Sequence, residues 1–191
     1  MNRRKAIGRI ILIGGGSLAT YAGYKFWDWN KNPDIFFLDQ HKNLIAALAE
    51  TIIPTTDSPG AKEAGVADFI IIMLRDCTEK ISQNRFIDGL KELKSYTSSS
   101  FNKTYEQCTD QEKEHVLRYF EEMGKHSKGI VGKVENKFFG ESFFETLKIL
   151  TVKGYCTSEA GATKGLAYLH IPGKFVGCMS IQPGQHAWAT K

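Results

Sequence analysis

The sequence predicts an all-α fold, a single-domain helical bundle of about five to six helices with an irregular C-terminal arm. Three observations predict it. Apolar residues recur at helical spacing in successive segments between residues 39 and 155. No segment after them alternates apolar and polar residues as a half-buried strand does. From Pro172 onward, Gly and Pro punctuate the chain and end the periodicity. The 191 residues, 42% hydrophobic and 12% aromatic, suffice for one domain with a core and are too apolar for disorder.

The chain divides into residues 1–24, a linker at 25–38 and a helical domain at 39–191. Its formal charge of +4 comes from 25 Lys+Arg against 21 Asp+Glu. Arg3, Arg4, Lys5 and Arg9 precede the first acidic residue, Asp28, and setting them aside leaves 21 basic residues against 21 acidic. The excess is therefore terminal, and a balanced body gives no support to nucleic-acid binding. A basic start followed by the uncharged stretch Ile10 to Tyr24 is the charge order of an export signal. As a helix that stretch reaches only ~22 Å, short of the ~30 Å hydrocarbon core. The adjacent Arg3 and Arg4, the Gly-rich apolar region and Lys25 beyond it are similar to a twin-arginine signal, which exports folded cargo to the periplasm, cleaved or retained as an anchor. A competing pattern overlaps it. Ile10 to Ile13, then Gly14-Gly15-Gly16-Ser17-Leu18-Ala19, satisfies the G-x-G-x-x-A dinucleotide fingerprint, with Asp34 ~20 residues on. That motif requires a parallel sheet, which nothing downstream supplies.

Within the linker, Ile35, Phe36 and Phe37 are expected to pack onto the body. Asp39 is expected to cap a first helix through Leu44, Ile45, Leu48, Ala49 and Ile52, ended by Pro54. The turn cluster Thr55 to Gly60 follows. In a second helix Val66, Phe69, Ile70, Met73 and Cys77 form a core stripe, while Ile71 and Ile72 fall on the opposite side and call for cover from another element or a partner. A third helix, about 83–98, carries Phe86, Leu90 and Leu93 and fades into Ser98-Ser99-Ser100. Thr109-x-x-Glu112 is a capping box that opens a fourth, with Val116, Leu117, Phe120 and Met123 inward. From Asn136 to Tyr155 apolar residues lie on most sides, which marks a central helix. A short helix near Ser158 to Tyr168 precedes the arm.

Four cysteines allow three pairings. Cys77 ends the second helix and Cys108 precedes the fourth, so Cys77–Cys108 is the preferred disulfide; Cys156–Cys178 would then tie down the arm. Oxidation suits the periplasm, and four free thiols are the alternative. The spacing of these cysteines does not match a zinc knuckle. The histidines, His41, His115, His126, His170 and His186, form no H-E-x-x-H or C-x-x-C-H motif. No G-x-S-x-G elbow or P-loop occurs. Gly154 to Thr163 concentrates small and hydroxyl residues, which reads as a turn and a capped helix; the sharper alternative is a Cys156 nucleophile with His170 as base. No catalytic, cofactor-binding or metal residues are assigned.

Two segments carry a family resemblance. They are Ile52-Ile53-Pro54-Thr55-Thr56-Asp57-Ser58-Pro59-Gly60-Ala61, with Ala64-Gly65-Val66 and Phe69, and Gly154-Tyr155-Cys156-Thr157-Ser158-Glu159-Ala160-Gly161, continuing through Leu166, Tyr168, Pro172 and Gly173. Together they resemble the small-subunit family of membrane-bound gluconate 2-dehydrogenase, also called subunit 3 or the gamma subunit of flavin-dependent sugar dehydrogenases. Cys156 departs from the family pattern, which has an aromatic residue after Tyr155. The resemblance implies a non-catalytic accessory subunit without a cofactor of its own. Its implied partners are a large FAD-containing subunit that oxidises the sugar, a cytochrome c subunit carrying haem c, and the twin-arginine translocase. Ile71 and Ile72 are then candidates for the partner interface. A stand-alone periplasmic binding protein, or a small thiol or dinucleotide enzyme, is the alternative.

Overall fold

The computed structural model describes residues 27–126, 141–171, 173–174, 177–178, 180–181 and 183–189. The basic start with Arg3 and Arg4, the Gly14 to Ala19 motif, Phe138, Phe139 and Pro172 lie outside the described residues. Besides the helical residues 27–29, the described residues form six α-helices, a 3-10 turn and a π-turn, with one isolated β-bridge and no sheet. The fold is all-α. No helix among the described residues is long and apolar enough to cross a membrane.

The first helix starts earlier than the sequence suggests. Asp34, not Asp39, is the cap: its carboxylate accepts from the Phe37 N–H at the start of α1 (Ile35–Gln40). Asp39 lies inside α1, and α2 (Lys42–Ile52) follows after His41, which makes no side-chain cap bond. The two helices bury Leu38, Leu44, Ile45, Leu48 and Ala49, whereas Phe36 points outward. The segment before α1 is held by polar contacts rather than by its aromatic rings alone. Trp29 donates from its indole to Asp88 at 2.8 Å, and the Asn84 amide donates to the carbonyls of Trp29 and Lys31, each at 2.8 Å.

Helix α3 (Val66–Cys77) buries Val66, Ala67, Ile70, Ile71 and Leu74. This divides the predicted pair: Ile71 is covered within the chain, and Ile72 remains 47% exposed. At the other edge of the expected stripe Cys77 is exposed. Helix α4 (Lys80–Phe101) runs through the serine cluster because Phe101 packs against the core beyond it and Asn102, in the left-handed region at φ 54°, closes the end. The buried Gln83 on α4 donates to the carbonyls of Leu74 and Arg75, satisfying α3's end. A 3-10 turn (Tyr105–Gln107) leads to α5 (Asp110–His126), opened by the expected capping box: the Thr109 N–H donates to Glu112 at 2.7 Å and the Glu112 N–H to Thr109 Oγ1 at 3.4 Å. Val116, Leu117 and Phe120 point inward; Met123 does not, and is 44% exposed.

The centre is α6 (Phe143–Thr157), which packs against α2, α3, α4 and α5. Its cap is Ser142, which accepts from the Glu145 N–H. Two glycines set the closest approaches. The Phe143 ring lies where a Cβ on Gly89 of α4 would stand, and the Phe69 ring of α3 lies against Gly154 of α6. Phe143 also meets Phe86 and Phe120, with ring centroids 5.1 and 5.8 Å away.

The expected disulfides do not form, and all four cysteines are free thiols. Geometry explains the first pair. Cys77 sits three residues before the start of α4, whereas Cys108 follows a turn that lines a hollow with Ser98 and Asn102 at α4's far end. The 22 residues of α4 separate those ends by ~33 Å, and a disulfide needs Cα atoms within ~7 Å. Cys108 is buried and its thiol donates to the Thr104 carbonyl. Cys156 and Cys178 are exposed.

Candidate functional site

The loop from Ile53 to Gly65 and the turn after α6 meet at one end of the bundle. The loop is organised from within by Glu50, on the last turn of α2. Its carboxylate accepts from the Thr55 N–H (2.9 Å), the Thr55 hydroxyl (2.7 Å) and the Lys62 N–H (2.8 Å). Partial burial works against ionisation of Glu50, but these donors and the nearby Lys62 charge outweigh it and hold the group below its ordinary range. Gly60 completes the arrangement, since a Cβ there would overlap the Glu50 carboxylate and the Thr55 hydroxyl. Backbone bonds from Ala61 to Ile53 (2.9 Å) and from Val66 to Ala61 (3.1 Å) fold the loop back onto α2, and Ala61 is buried. Gly65, at φ 69°, turns the chain into α3.

Tyr155 joins this loop to the second segment. Its hydroxyl donates to the Pro59 carbonyl at 2.7 Å. Its own carbonyl accepts from the Ser158 hydroxyl at 2.8 Å, and Ser158 in turn accepts from the Gly161 N–H at 3.0 Å. The π-turn (Gly161–Gly165) wraps the ring, and a Cβ at Gly165 would collide with the Tyr155 hydroxyl. From there the arm leaves. His186 Nδ1 lies 3.1 Å from the Gly165 carbonyl, the Ala167 N–H donates to the Ala187 carbonyl at 2.8 Å, and the Ala189 N–H donates to the Ala167 carbonyl at 2.9 Å. Ala167 and Trp188 thereby form a parallel bridge. Around it Tyr168, Leu169, Ile171 and Trp188 are exposed, Ile171 to 77%.

One family match takes in both segments. The profile described as Gluconate 2-dehydrogenase subunit 3 matches residues 39–173, which span the loop, the tyrosine and the root of the arm. The chain belongs to the gluconate 2-dehydrogenase subunit 3 family. The family is a subunit of an oxidoreductase complex, and it is shown here as an all-α chain. No curated protein and no solved structure matches the chain.

Of the remaining sequence-derived residues, His41 and His115 make other contacts, and His170 lies on the arm beside Tyr168. His41 donates from Nδ1 to the Phe37 carbonyl at 2.8 Å and stacks on the Phe37 ring, so its Nε2 is left to accept from Lys94. The pair borders an open hollow of about 480 Å³ with Leu44, Ser98 and Tyr105. His115 is exposed with its ring edge-on to Phe101, and His170 lies 3.4 Å from the Tyr168 hydroxyl. Among the described residues, no three His, Cys, Asp or Glu side chains gather as a metal site. Sequence reasoning missed Glu50 and Tyr155 as organisers. A carboxylate one turn before Pro54 and a cluster of N–H and hydroxyl donors after it were the available signal for Glu50; nothing local pointed to the Tyr155 partner.

Proposed function

We propose that this subunit 3 family member is the accessory subunit of a periplasmic, membrane-associated, FAD-dependent gluconate or sugar dehydrogenase complex, needed for export, assembly and stability of the flavoprotein. The observation that carries the reading is the convergence of both family segments on the root of an exposed, apolar arm. A monomer gains nothing from exposing Leu169, Ile171 and Trp188, whereas a subunit needs such a surface. Hydride transfer belongs to FAD on the large chain, and haem c on a cytochrome subunit takes the electrons. Binding only the folded partner stabilises it by mass action. Arg3 and Arg4 head a twin-arginine signal that carries the assembled pair across the membrane.

Co-expression with a flavoprotein encoded beside it tests the reading. A yellow complex containing both chains is the expected product. Export of an active flavoprotein in the absence of this chain overturns the reading. Replacing Arg3 and Arg4 with Lys is expected to retain the flavoprotein in the cytoplasm, and unchanged periplasmic activity overturns the export role.

A further inference from the structure

The chain ahead of α1 crosses one side of α4 as a strap. It begins with the helical residues 27–29, runs on through Lys31 and Asn32, and joins α1 at Pro33 and the cap Asp34. Lys80, Asn84 and Asp88 recur every fourth residue on α4, so they form one row on its surface. The row meets the strap in reverse order. Lys80 donates to the Asn32 side-chain oxygen at 2.9 Å, Asn84 uses both amide hydrogens on the carbonyls of Lys31 and Trp29, and Asp88 accepts the Trp29 indole N–H at 2.8 Å. The Arg85 guanidinium lies over the Trp29 ring, 5.5 Å from its centroid. Within the strap, Lys31 pairs with Asp28 at 2.7 Å and lies over the Trp27 ring, which closes the turn on itself.

The hold on α4 is polar, whereas the helices are held by their core. No residue from 27 to 34 belongs to the buried core or to the partly buried hydrophobics packed against it, and Ile35 is the first that does. Burial of apolar surface ties an element to the unfolding of its core, but hydrogen bonds half open to water each add little net stability. An element held in this way opens locally, at a lower free energy than the bundle.

We propose that residues 28–33 are a latch, which closes on the Lys80–Asn84–Asp88 row and opens while the six helices stay folded. Its pivot is Pro33, with fixed φ, beside Asp34, whose carboxylate holds the start of α1 in place. Closed, the latch fixes the chain ahead of Asp28 against the first turns of α4. Open, it becomes a tether that extends the reach of that chain by up to about 20 Å. The latch goes beyond the accessory role and does not depend on it.

Limited trypsin digestion of the full chain in rising urea, read by mass spectrometry, tests the latch. Cleavage after Lys31 reports the strap, and cleavage after Lys148, exposed on α6, reports the bundle. In the parent chain the first is expected without urea and with weak dependence on it, the second only as the bundle unfolds. Asn84→Ala and Asp88→Ala are each expected to speed cleavage after Lys31 by about tenfold and to leave cleavage after Lys148 unchanged. Two variants are used so that one remains if the other fails to fold. Cleavage after Lys31 that follows cleavage after Lys148 across the urea range makes the strap part of the cooperative core and overturns the latch. Unchanged cleavage after Lys31 in both variants overturns the role of the row. Equal acceleration of both cuts assigns Asn84 and Asp88 to the stability of the bundle and also overturns the latch.

Discussion

The Tyr155 hydroxyl donates to the carbonyl of Pro59, 96 residues earlier, at 2.7 Å. This bond fastens the loop after α2 to the end of the central helix, and the arm hangs from the same tyrosine through the π-turn. Tyr155 is buried, so removal of its hydroxyl leaves a carbonyl without its partner. Tyr155→Phe is expected to cost about 1–3 kcal/mol in urea unfolding and to speed amide exchange at Gly60 and Ala61. Unchanged exchange in that loop shows that the bond does not hold it.

Gly89 is tested by the sign of its effect. In an open helix interior, Gly to Ala stabilises by about 1 kcal/mol. Here the Phe143 ring occupies the space, so Gly89→Ala is expected to destabilise by about 1–3 kcal/mol. Chemical denaturation distinguishes the two directions, and a gain in stability would mean that Phe143 moves aside.

Glu50 makes part of the stability pH-dependent. Its folded-state ionisation is held below the ordinary carboxylate range, so the stabilisation is fully present above about pH 4.3 and is lost as pH falls through the lower folded value. Glu112 shifts in the same direction, through the Thr109 N–H first and Lys103 next. Glu50→Gln is expected to flatten the acid limb of a plot of stability against pH and to raise exchange at Thr55 and Lys62. An acid limb identical to that of the parent chain excludes this role for Glu50.

Removing the capping box tests the start of α5. Thr109→Ala is expected to cost about 1 kcal/mol. Thr109→Ser keeps the hydroxyl and is expected to restore most of it, as read from thermal melting.

The thiols offer a simple check on the fold. Cys77, Cys156 and Cys178 are exposed and are expected to react quickly with an alkylating reagent in the native state. Cys108 is expected to react slowly, because burial first, and Glu112 next, push its thiol up. Mass spectrometry after brief alkylation reads this out. Rapid labelling of Cys108 contradicts the packing described.

The helices were legible where local chemistry sufficed. Thr109 and Glu112 announce α5 because both capping partners lie within one turn, and Leu90 and Leu93 announce α4 by spacing alone. Ile71 was not legible, because periodicity assigns a residue to a side of its helix but not the neighbour that covers that side. The Cys77–Cys108 pairing failed for a similar reason. Both cysteines lie near helix ends, but sequence does not say which ends share a pole of the bundle, and α4 puts them at opposite ones.

By itself, then, the sequence determined the all-α class, the central position of the helix that runs to Tyr155 and the two family segments, since each is written in residues close together in the chain. Tertiary structure alone decided that Pro59 and Tyr155 touch, that Glu50 gathers its loop, and that Ile71 is covered while Ile72 is not. These depend on contacts between distant residues, which only the packed core fixes.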